Sequence, residues 1–190
     1  MPNMSAKVVN NGIEVPLGRE GEICLKGPNI FKGYFENADA TAQAFDAEGW
    51  YRTGDIGRVD EQGNLYITDR LKELIKYNGF QVAPAELEGI LLGHPAVEDV
   101  AVIGVYSEAR ATELPRAYVV AAPGHKGDAL LGREMQTWLS ERVSPHKKLR
   151  GGVAFIEAIP KSNAGKILRR VLVERAKAER TEETSAKARL

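Results

Sequence analysis

The feature that most constrains the fold is an apolar, β-branched segment, Val97–Val105, which predicts a β-strand. Before it, Pro84 begins a predicted helix at the first-turn position that proline tolerates, and Gly93-His94-Pro95 ends that helix. After it, a second apolar strand is predicted at Ala117–Ala122. A helix and two apolar strands in so short a stretch indicate a domain of mixed α and β structure.

The rest of the C-terminal half has the same mixed character. Apolar runs and helical spacing predict a strand at Leu74–Val82, a helix at Leu131–Arg142, a strand at Val153–Ile156, a loop at Pro160–Gly165 and a helix at Lys166–Ala178. Arg110–Arg116 is interpreted as a polar loop between strands. We therefore predict a compact α+β domain over residues 71–178, followed by a polar, exposed tail over residues 179–190.

Residues 1–70 are predicted to be β-rich with tight turns. A strand is expected at Glu20–Lys26, and one or two helical turns at Ala38–Phe45 with Asn37 as their cap. The segments Ile56–Val59 and Leu65–Thr68 flank a turn sequence that is typical of a hairpin. These elements are too few for a convincing core, so we interpret residues 1–70 as the end of a larger domain.

Composition excludes several classes of protein. Hydrophobic residues make up 43% and charged residues 27% of the 190 residues, as in ordinary soluble globular proteins. The formal net charge of zero argues against general binding to nucleic acid, and no apolar run is long enough for a membrane span. The single cysteine, Cys24, excludes an internal disulfide and fits a reducing compartment. The three histidines are isolated singletons, so no metal site is expected.

Three segments have more charge and turn chemistry than a structural role requires: Gly49–Asp55, Asp69–Gln81 and Pro160–Lys166. In the first, Asp55 follows Thr-Gly and can accept hydrogen bonds from paired hydroxyls such as a ribose diol; a turn cap is the alternative. The second has the composition of a solvated hinge, or of a surface linker. The third presents Lys166 from a loop of small residues to a phosphate or carboxylate, unless this lysine is only a solvated loop residue.

A basic cluster accompanies the third segment. Within residues 143–170 seven basic side chains face only Glu157; they are Lys147, Lys148, Arg150, Lys161, Lys166, Arg169 and Arg170. Such a cluster attracts ligands that carry phosphate, although a solvated charged face is the alternative.

Taken in this order, the three segments resemble the adenylate-forming superfamily of acyl-CoA synthetases, adenylation domains and beetle luciferase. The run DRLKELIKYNGFQVAPAELEGIL is most similar to the branch that contains coumarate–CoA ligase and luciferase. The resemblance implies an α+β fold in which the last β-strands of the large domain precede the whole small C-terminal domain. It also implies ATP with Mg²⁺, CoA and a carboxylic acid as ligands, with Mg²⁺ held by large-domain residues that this chain lacks.

The resemblance assigns the nucleotide to four positions. Asp55 matches the aspartate that binds the ribose hydroxyls, and Arg70 matches the arginine that also contacts the nucleotide. Gln81 matches a residue that approaches the nucleotide phosphate. Lys166 matches the catalytic lysine of adenylation, although Ser162 and Ala164 depart from the usual residues of its loop.

Three further positions are assigned to the second half of the reaction. Lys72 matches the hinge about which the small domain rotates between half-reactions. Gly79 matches the glycine beside which the pantetheine arm of CoA passes, and Lys76 lies with Gln81 on the same presented face. Asn78 departs from the pattern of the family, in which many members carry a basic residue at this position.

The function that the resemblance implies is that of the C-terminal part of an ATP-dependent acid–CoA ligase. Because the sequence contains neither a phosphate loop nor an acyl pocket, the chain is expected to be inactive alone. Two alternatives stay open, a non-catalytic truncated module and an adenylation domain that loads a carrier protein. The final Ala188-Arg189-Leu190 is similar to a peroxisomal address, so a peroxisomal import receptor is a predicted partner and the cytoplasm the other expected location.

Overall fold

A computed structural model describes residues 3–187 of the chain. The chain divides into two compact units, Met1–Lys72 and Glu73–Leu190, which we call the N-terminal unit and the C-terminal unit. The division falls directly after Lys72, two residues later than the predicted boundary at residue 70. The predicted mixed α and β fold is confirmed.

The N-terminal unit is a single antiparallel sheet with one short helix. Its strands are β1 (Ser5–Asn10), β2 (Ile13–Glu14), β3 (Gly21–Lys26), β4 (Tyr51–Val59) and β5 (Leu65–Arg70), in the spatial order β2-β1-β3-β4-β5. Helix α1 (Ala38–Ala44) begins after Asn37, whose side-chain oxygen accepts a hydrogen bond from the N–H of Ala40. The predicted hairpin is present as β4 and β5, and the carboxylate of Asp60 accepts hydrogen bonds from the backbone of the turn between them.

The C-terminal unit contains a two-stranded hairpin and a three-stranded sheet. Its elements are β6 (Ile75–Tyr77), β7 (Phe80–Val82), α2 (Pro84–Leu91), β8 (Val97–Ser107), β9 (Thr112–Ala121), α3 (Ala129–Ser140), β10 (Val153–Phe155) and α4 (Arg169–Lys187). Strand β9 lies in the centre of the larger sheet, antiparallel to β8 and parallel to β10.

The core of the C-terminal unit lies on both faces of this sheet because side chains alternate along a strand. Val100 and Val102 of β8 join the cluster that contains the buried side chains of α2 and α3. Ala101 and Ile103, the residues between and after them, join a second cluster with Leu172 of α4. Burial on both faces explains why Val100–Val105 is continuously apolar rather than alternating.

Three predicted elements differ from the structure. The strand predicted over Leu74–Val82 is a hairpin, because Asn78 and Gly79 both have positive φ and reverse the chain. The polar loop predicted over Arg110–Arg116 is wrong, since β9 already begins at Thr112. The last helix begins at Arg169 rather than Lys166 and continues to Lys187, nine residues beyond its predicted end, so residues 179–187 are helical rather than a tail.

The extension of α4 has a packing reason. Glu179 accepts hydrogen bonds from Arg116 and from the hydroxyl of Tyr118 on β9, which fastens this turn of the helix to the sheet. No helix within residues 3–187 is both long enough and apolar enough to cross a membrane. Ala188-Arg189-Leu190 lies outside the described residues.

Candidate active site

Asp55 and Arg70 lie opposite each other on β4 and β5 of the N-terminal unit. The nitrogen Nε of Arg70 is 3.3 Å from Oδ1 of Asp55, and the Asp55 side chain is 28% exposed. Gly54 adopts a φ of 72°, and its carbonyl accepts a hydrogen bond from the N–H of Leu71. Asp55 is therefore a partly exposed carboxylate on a strand, and such a carboxylate can accept hydrogen bonds from paired hydroxyls.

Thr53 fixes the turn that carries Asp55. Its hydroxyl donates to the carbonyl of Ile23 at 2.7 Å and accepts from the N–H of Asp55 at 3.0 Å. The negative charge of Asp55 also reaches Tyr51, whose pKa is raised first by burial and then by Tyr34 and Asp55. The predicted pair of nucleotide residues is thus brought together within one unit.

Lys72 is an exposed residue at the end of the N-terminal unit. The division of the chain into units falls at its carboxyl side, so Lys72 stands where a hinge between them would have to be. Its hinge role stays a prediction.

Lys76, Gly79 and Gln81 lie on the hairpin of β6 and β7. Lys76 and Gln81 are paired across the two strands, and both are exposed. Their neighbours in the ladder, Ile75 and Val82, are buried, because alternate residues point to opposite faces. Gly79 has a φ of 82°, and a Cβ placed on it would meet no atom within 4 Å. The tip of the hairpin therefore carries no side chain at this position and has free space around it.

Two residues of β9 hold this hairpin in place, and both lie in the segment predicted to be a polar loop. The hydroxyl of Thr112 donates to the carbonyl of Lys76 and accepts from the N–H of Asn78, both at 2.8 Å. The carboxylate of Glu113 accepts from the N–H of Lys76 at 2.7 Å. Hydrogen bonds from the side chains of β9 to the backbone of the hairpin thus join the two, in place of the backbone–backbone hydrogen bonds of a sheet. The sequence gives little signal for this part of β9, because Glu113, Pro115 and Arg116 interrupt its apolar residues.

Lys166 lies on a tight turn between Pro160 and α4. The N–H of Ser162 donates to the carbonyl of Lys166 at 2.8 Å, and the hydroxyl of Ser162 accepts from the N–H of Lys166 at 3.2 Å. Gly165 has a φ of 78°, which the turn requires. The backbone of Lys166 is therefore fixed, while its side chain is 56% exposed and presents the ammonium to solvent.

Beneath this turn lies a partly buried charged cluster that sequence reasoning did not find. Arg169 contacts both carboxylate oxygens of Glu88, and its Nε donates to Glu73 at 2.7 Å. Burial alone lowers the pKa of Arg169, but the hydrogen bonds and charges of Glu88 and Glu73 outweigh it and raise that pKa. The other oxygen of Glu73 is 3.6 Å from Nζ of Lys166.

Most of the predicted basic cluster is already engaged within the unit. Nζ of Lys147 is 2.6 Å from Glu86, and Nζ of Lys161 is 2.6 Å from Asp99. Arg150 lies over the ring of Tyr77, with 4.8 Å between its Cζ and the ring centroid. The cluster is therefore less available to an anion than its charge count indicates.

Other features of the described residues lie away from these positions. No group of three His, Cys, Asp or Glu side chains within residues 3–187 has the arrangement that a metal ion needs. A hollow of about 520 Å³ in the N-terminal unit is lined by Lys26, Ile30, Phe31 and Phe45, among others, and includes none of the predicted site residues.

The mixed α and β fold matches that of the C-terminal domain of adenylate-forming enzymes. Residues 86–166 match the family described as AMP-binding enzyme C-terminal domain. The chain belongs to the adenylate-forming superfamily, to its C-terminal portion.

Relatives by sequence are CoA ligases. The chain is 47% identical to 4-coumarate–CoA ligase-like 4 of Oryza sativa subsp. japonica over 92% of its length, and 47% identical to acyl-CoA ligase azaF of Aspergillus niger over 90%. It covers 31% and 32% of those two proteins, so it spans about a third of the relatives that it matches.

Solved structures agree with this assignment. The ATP-bound MatB of Rhodopseudomonas palustris is 34% identical with a TM-score of 0.83, covering 92% of this chain and 34% of MatB. The o-succinylbenzoate CoA synthetase of Bacillus subtilis, in complex with its acyl-adenylate, is 32% identical with a TM-score of 0.77, covering 90% and 34%.

Proposed function

We propose that this chain supplies the C-terminal part of an ATP-dependent acid–CoA ligase. The reaction converts a carboxylic acid, ATP and CoA into acyl-CoA, AMP and pyrophosphate through an acyl-adenylate. One observation carries the proposal: a single unit that begins directly after Lys72 presents an exposed lysine, Lys166, on a fixed turn and a bare glycine, Gly79, on a fixed hairpin.

In the adenylation step, Lys166 has the decisive role. The attack of a carboxylate on the α-phosphate of ATP brings anions together and increases the charge on the phosphate oxygens. An ammonium that contacts both reactants offsets this repulsion and stabilises the transition state more than the ground state. Asp55 would accept hydrogen bonds from the ribose hydroxyls, while Arg70 and Gln81 would contact the nucleotide.

In the thioester step, Gly79 has the decisive role. The thiol of CoA must reach the acyl carbonyl on a narrow pantetheine arm, and the open space at Gly79 is where a side chain would obstruct that arm. Lys76 and Gln81 flank this path on the exposed face of the hairpin. A rotation at Lys72 would exchange the lysine and the hairpin between the two steps.

The test is an enzyme in which this chain replaces the matched third of the rice 4-coumarate–CoA ligase-like relative, assayed against a panel of aryl and fatty acids. Lys166→Ala is expected to slow pyrophosphate release about a hundred- to thousandfold, since one preorganised donor is lost. It should leave thioester formation from a synthetic acyl-adenylate unchanged. The matched control is Lys161→Ala on the same loop, which is expected to alter neither step.

Gly79→Leu is expected to show the opposite pattern, with adenylation retained and thioester formation lost. If Lys166→Ala leaves acyl-adenylate production intact, the proposal is wrong. If the unmodified joined enzyme forms acyl-adenylate but transfers the acyl group to a carrier protein and not to CoA, the carrier-loading alternative replaces it. We also propose that the 190-residue chain alone is inactive, which pyrophosphate release by the purified chain would contradict.

We further propose that Ala188-Arg189-Leu190 directs the protein to peroxisomes through the import receptor. The support is the small–basic–leucine pattern of these residues. A fluorescent protein that ends in the last ten residues of this chain should collect in peroxisomes, and the same protein without the final leucine should not. If the fluorescent protein with the complete ending is spread through the cytoplasm instead, the proposed peroxisomal signal is wrong.

A further inference from the structure

We infer that Glu73 is a positioning residue for Lys166, an inference that rests on the proposed function. Glu73 is the first residue of the C-terminal unit, directly after Lys72, and it is separated by more than ninety residues from Lys166. One oxygen of its carboxylate, Oε1, is 3.6 Å from Nζ of Lys166. The ammonium of the proposed catalytic lysine is thus paired with the residue that follows the proposed hinge.

The orientation of Glu73 is fixed by a series of partly buried contacts. The N–H of Val102 on β8 donates to Glu88 at 2.7 Å, and Glu88 in turn holds Arg169 through both of its oxygens. Arg169 then donates to Oε2 of Glu73 at 2.7 Å. The side chain of Arg169 is only 16% exposed, so its charged hydrogen bonds hold Oε2 of Glu73 in place. The other oxygen, Oε1, is then directed at Lys166.

The ion pair between Glu73 and Lys166 is long, at 3.6 Å, and a long ion pair fits a positioning role. Lys161, on the same loop, lies 2.6 Å from Asp99, whereas Lys166 lies 3.6 Å from Glu73. A lysine side chain loses much rotamer freedom when it is ordered, so a partner that limits its range lowers the cost of placing it on the reactants. A long, partly solvated pair restrains the ammonium and still releases it to a carboxylate and a phosphate.

The first experiment uses the 190-residue chain and needs no activity. Dilute acetic anhydride labels lysines, and mass spectrometry measures the rate at each one. Glu73→Gln keeps an oxygen for Arg169 and removes the charge that holds Lys166. We expect the labelling rate of Lys166 to rise about two- to fivefold, the range that an exposed ion pair supplies, with that of Lys161 unchanged.

Asp99→Asn is the matched control, because it removes the partner of the other lysine on this loop. It should raise the labelling of Lys161 and leave that of Lys166 unchanged. An unchanged rate at Lys166 in Glu73→Gln would overturn the inference. So would a parallel rise at both lysines in Glu73→Gln, because that result means a loosened loop rather than a lost partner.

The second experiment uses the joined enzyme and separates positioning from stability. Glu73→Gln is expected to slow adenylation about two- to fivefold and to leave thioester formation from a synthetic acyl-adenylate unchanged. A destabilised unit would slow both steps, because both use it; equal loss in both, or no loss in either, overturns the inference. If the unmodified joined enzyme has no activity, the proposed function fails, while the labelling result still decides whether Glu73 holds Lys166.

Discussion

The two units of the chain differ in how completely they bury their apolar side chains. In the C-terminal unit, Leu87, Leu91 and Met135 are inaccessible to solvent. In the N-terminal unit, Phe35 is 90% exposed and Ile67 is among the other large apolar side chains that face solvent. Helix α1 buries no residue at all.

The difference follows from the number of layers. The sheet of the C-terminal unit has helices on both faces, so each face closes its own core. The sheet of the N-terminal unit has one short helix, and Val8, Ile23 and Ile56 form most of what it buries. Because the chain spans about a third of its relatives, we expect the exposed apolar side chains to be covered in a longer protein.

The comparison can be tested because each unit contains one of the two tryptophans, Trp50 and Trp138. In a Trp50→Phe background, fluorescence reports the unfolding of the C-terminal unit; in a Trp138→Phe background, it reports the N-terminal unit. Each prediction below is a change in the free energy of unfolding of one unit, measured with urea in the matching background.

The largest effect is expected for Glu88→Ala. It leaves Arg169 without its bidentate partner and the N–H of Val102 without an acceptor inside the core. Breaking a buried pair in this way costs about 3–5 kcal/mol. Glu22→Ala is the matched change in the N-terminal unit, where the partner Arg52 is half exposed, and it should cost about 1 kcal/mol or less. Glu22 is as buried as Glu88, so equal losses would show that the exposure of the arginine left behind, 48% for Arg52 and 16% for Arg169, does not set the cost.

A smaller loss is expected for Leu87→Ala. This side chain is fully buried against β8, so its removal leaves a cavity and costs about 2–5 kcal/mol. Ile67→Ala in the N-terminal unit should lie within about 0.5 kcal/mol of zero, because Ile67 already faces solvent. A large loss for Ile67→Ala would mean that the chain itself covers that surface in solution.

Tyr118→Phe tests the contact that fastens α4 to β9. Burial, and then the hydrogen bond to Glu179, raise the pKa of Tyr118 to about 12. Removing a hydrogen bond to a charged group costs about 1.5–3 kcal/mol. Because the unfolded phenol ionises near pH 10, the contribution of Tyr118 is complete below pH 10 and is lost as the pH rises towards 12.

Ultraviolet absorbance of tyrosinate should follow this ionisation, and the transition near pH 12 should be missing in Tyr118→Phe. Tyr66→Phe is the counterpart in the N-terminal unit, where the hydroxyl donates to exposed Asp60. It is expected to cost less, and a larger loss for Tyr66→Phe than for Tyr118→Phe would contradict the burial argument.

The smallest effect should be equal in the two units. Gly79→Ala and Gly54→Ala each place a Cβ on a residue with positive φ, in open space. The cost is local backbone strain of about 1–2 kcal/mol and does not depend on the size of the core. Gly89→Ala, in α2 and equally open, should instead stabilise its unit by up to about 1 kcal/mol. Unequal costs at Gly79 and Gly54 would show that tertiary contacts restrain one of these turns.

Local signals in the sequence predicted much of the fold. Asn37 before α1, Pro84 at the start of α2 and the turn between β4 and β5 all act through their immediate neighbours, so their patterns are readable along the chain. The hairpin at Asn78-Gly79 was equally local, but the segments on its two sides, Ile75–Tyr77 and Phe80–Val82, both alternate apolar and polar residues and were interpreted as one strand.

Contacts between residues distant in sequence could not be predicted in this way. Strand β9 begins at Thr112, inside a charged stretch, because its polar side chains bond the backbone of a hairpin 34 to 37 residues earlier. Helix α4 continues past residue 178 because Glu179 finds Arg116 and Tyr118 on the sheet. No pattern within either segment indicates these partners.

The sequence by itself therefore determined which residue types stand at the candidate site: a lysine after a loop of small residues, a glycine directly after Asn78 and an aspartate after Thr-Gly. These depend on backbone conformation over a few residues, which neighbours dictate. Only the tertiary structure decided what surrounds Lys166, because Glu73, Glu88 and Arg169 meet through the packing of β8, α2 and α4. Burial stabilises such a charge cluster only when all its members are in place, and their assembly is a property of the fold.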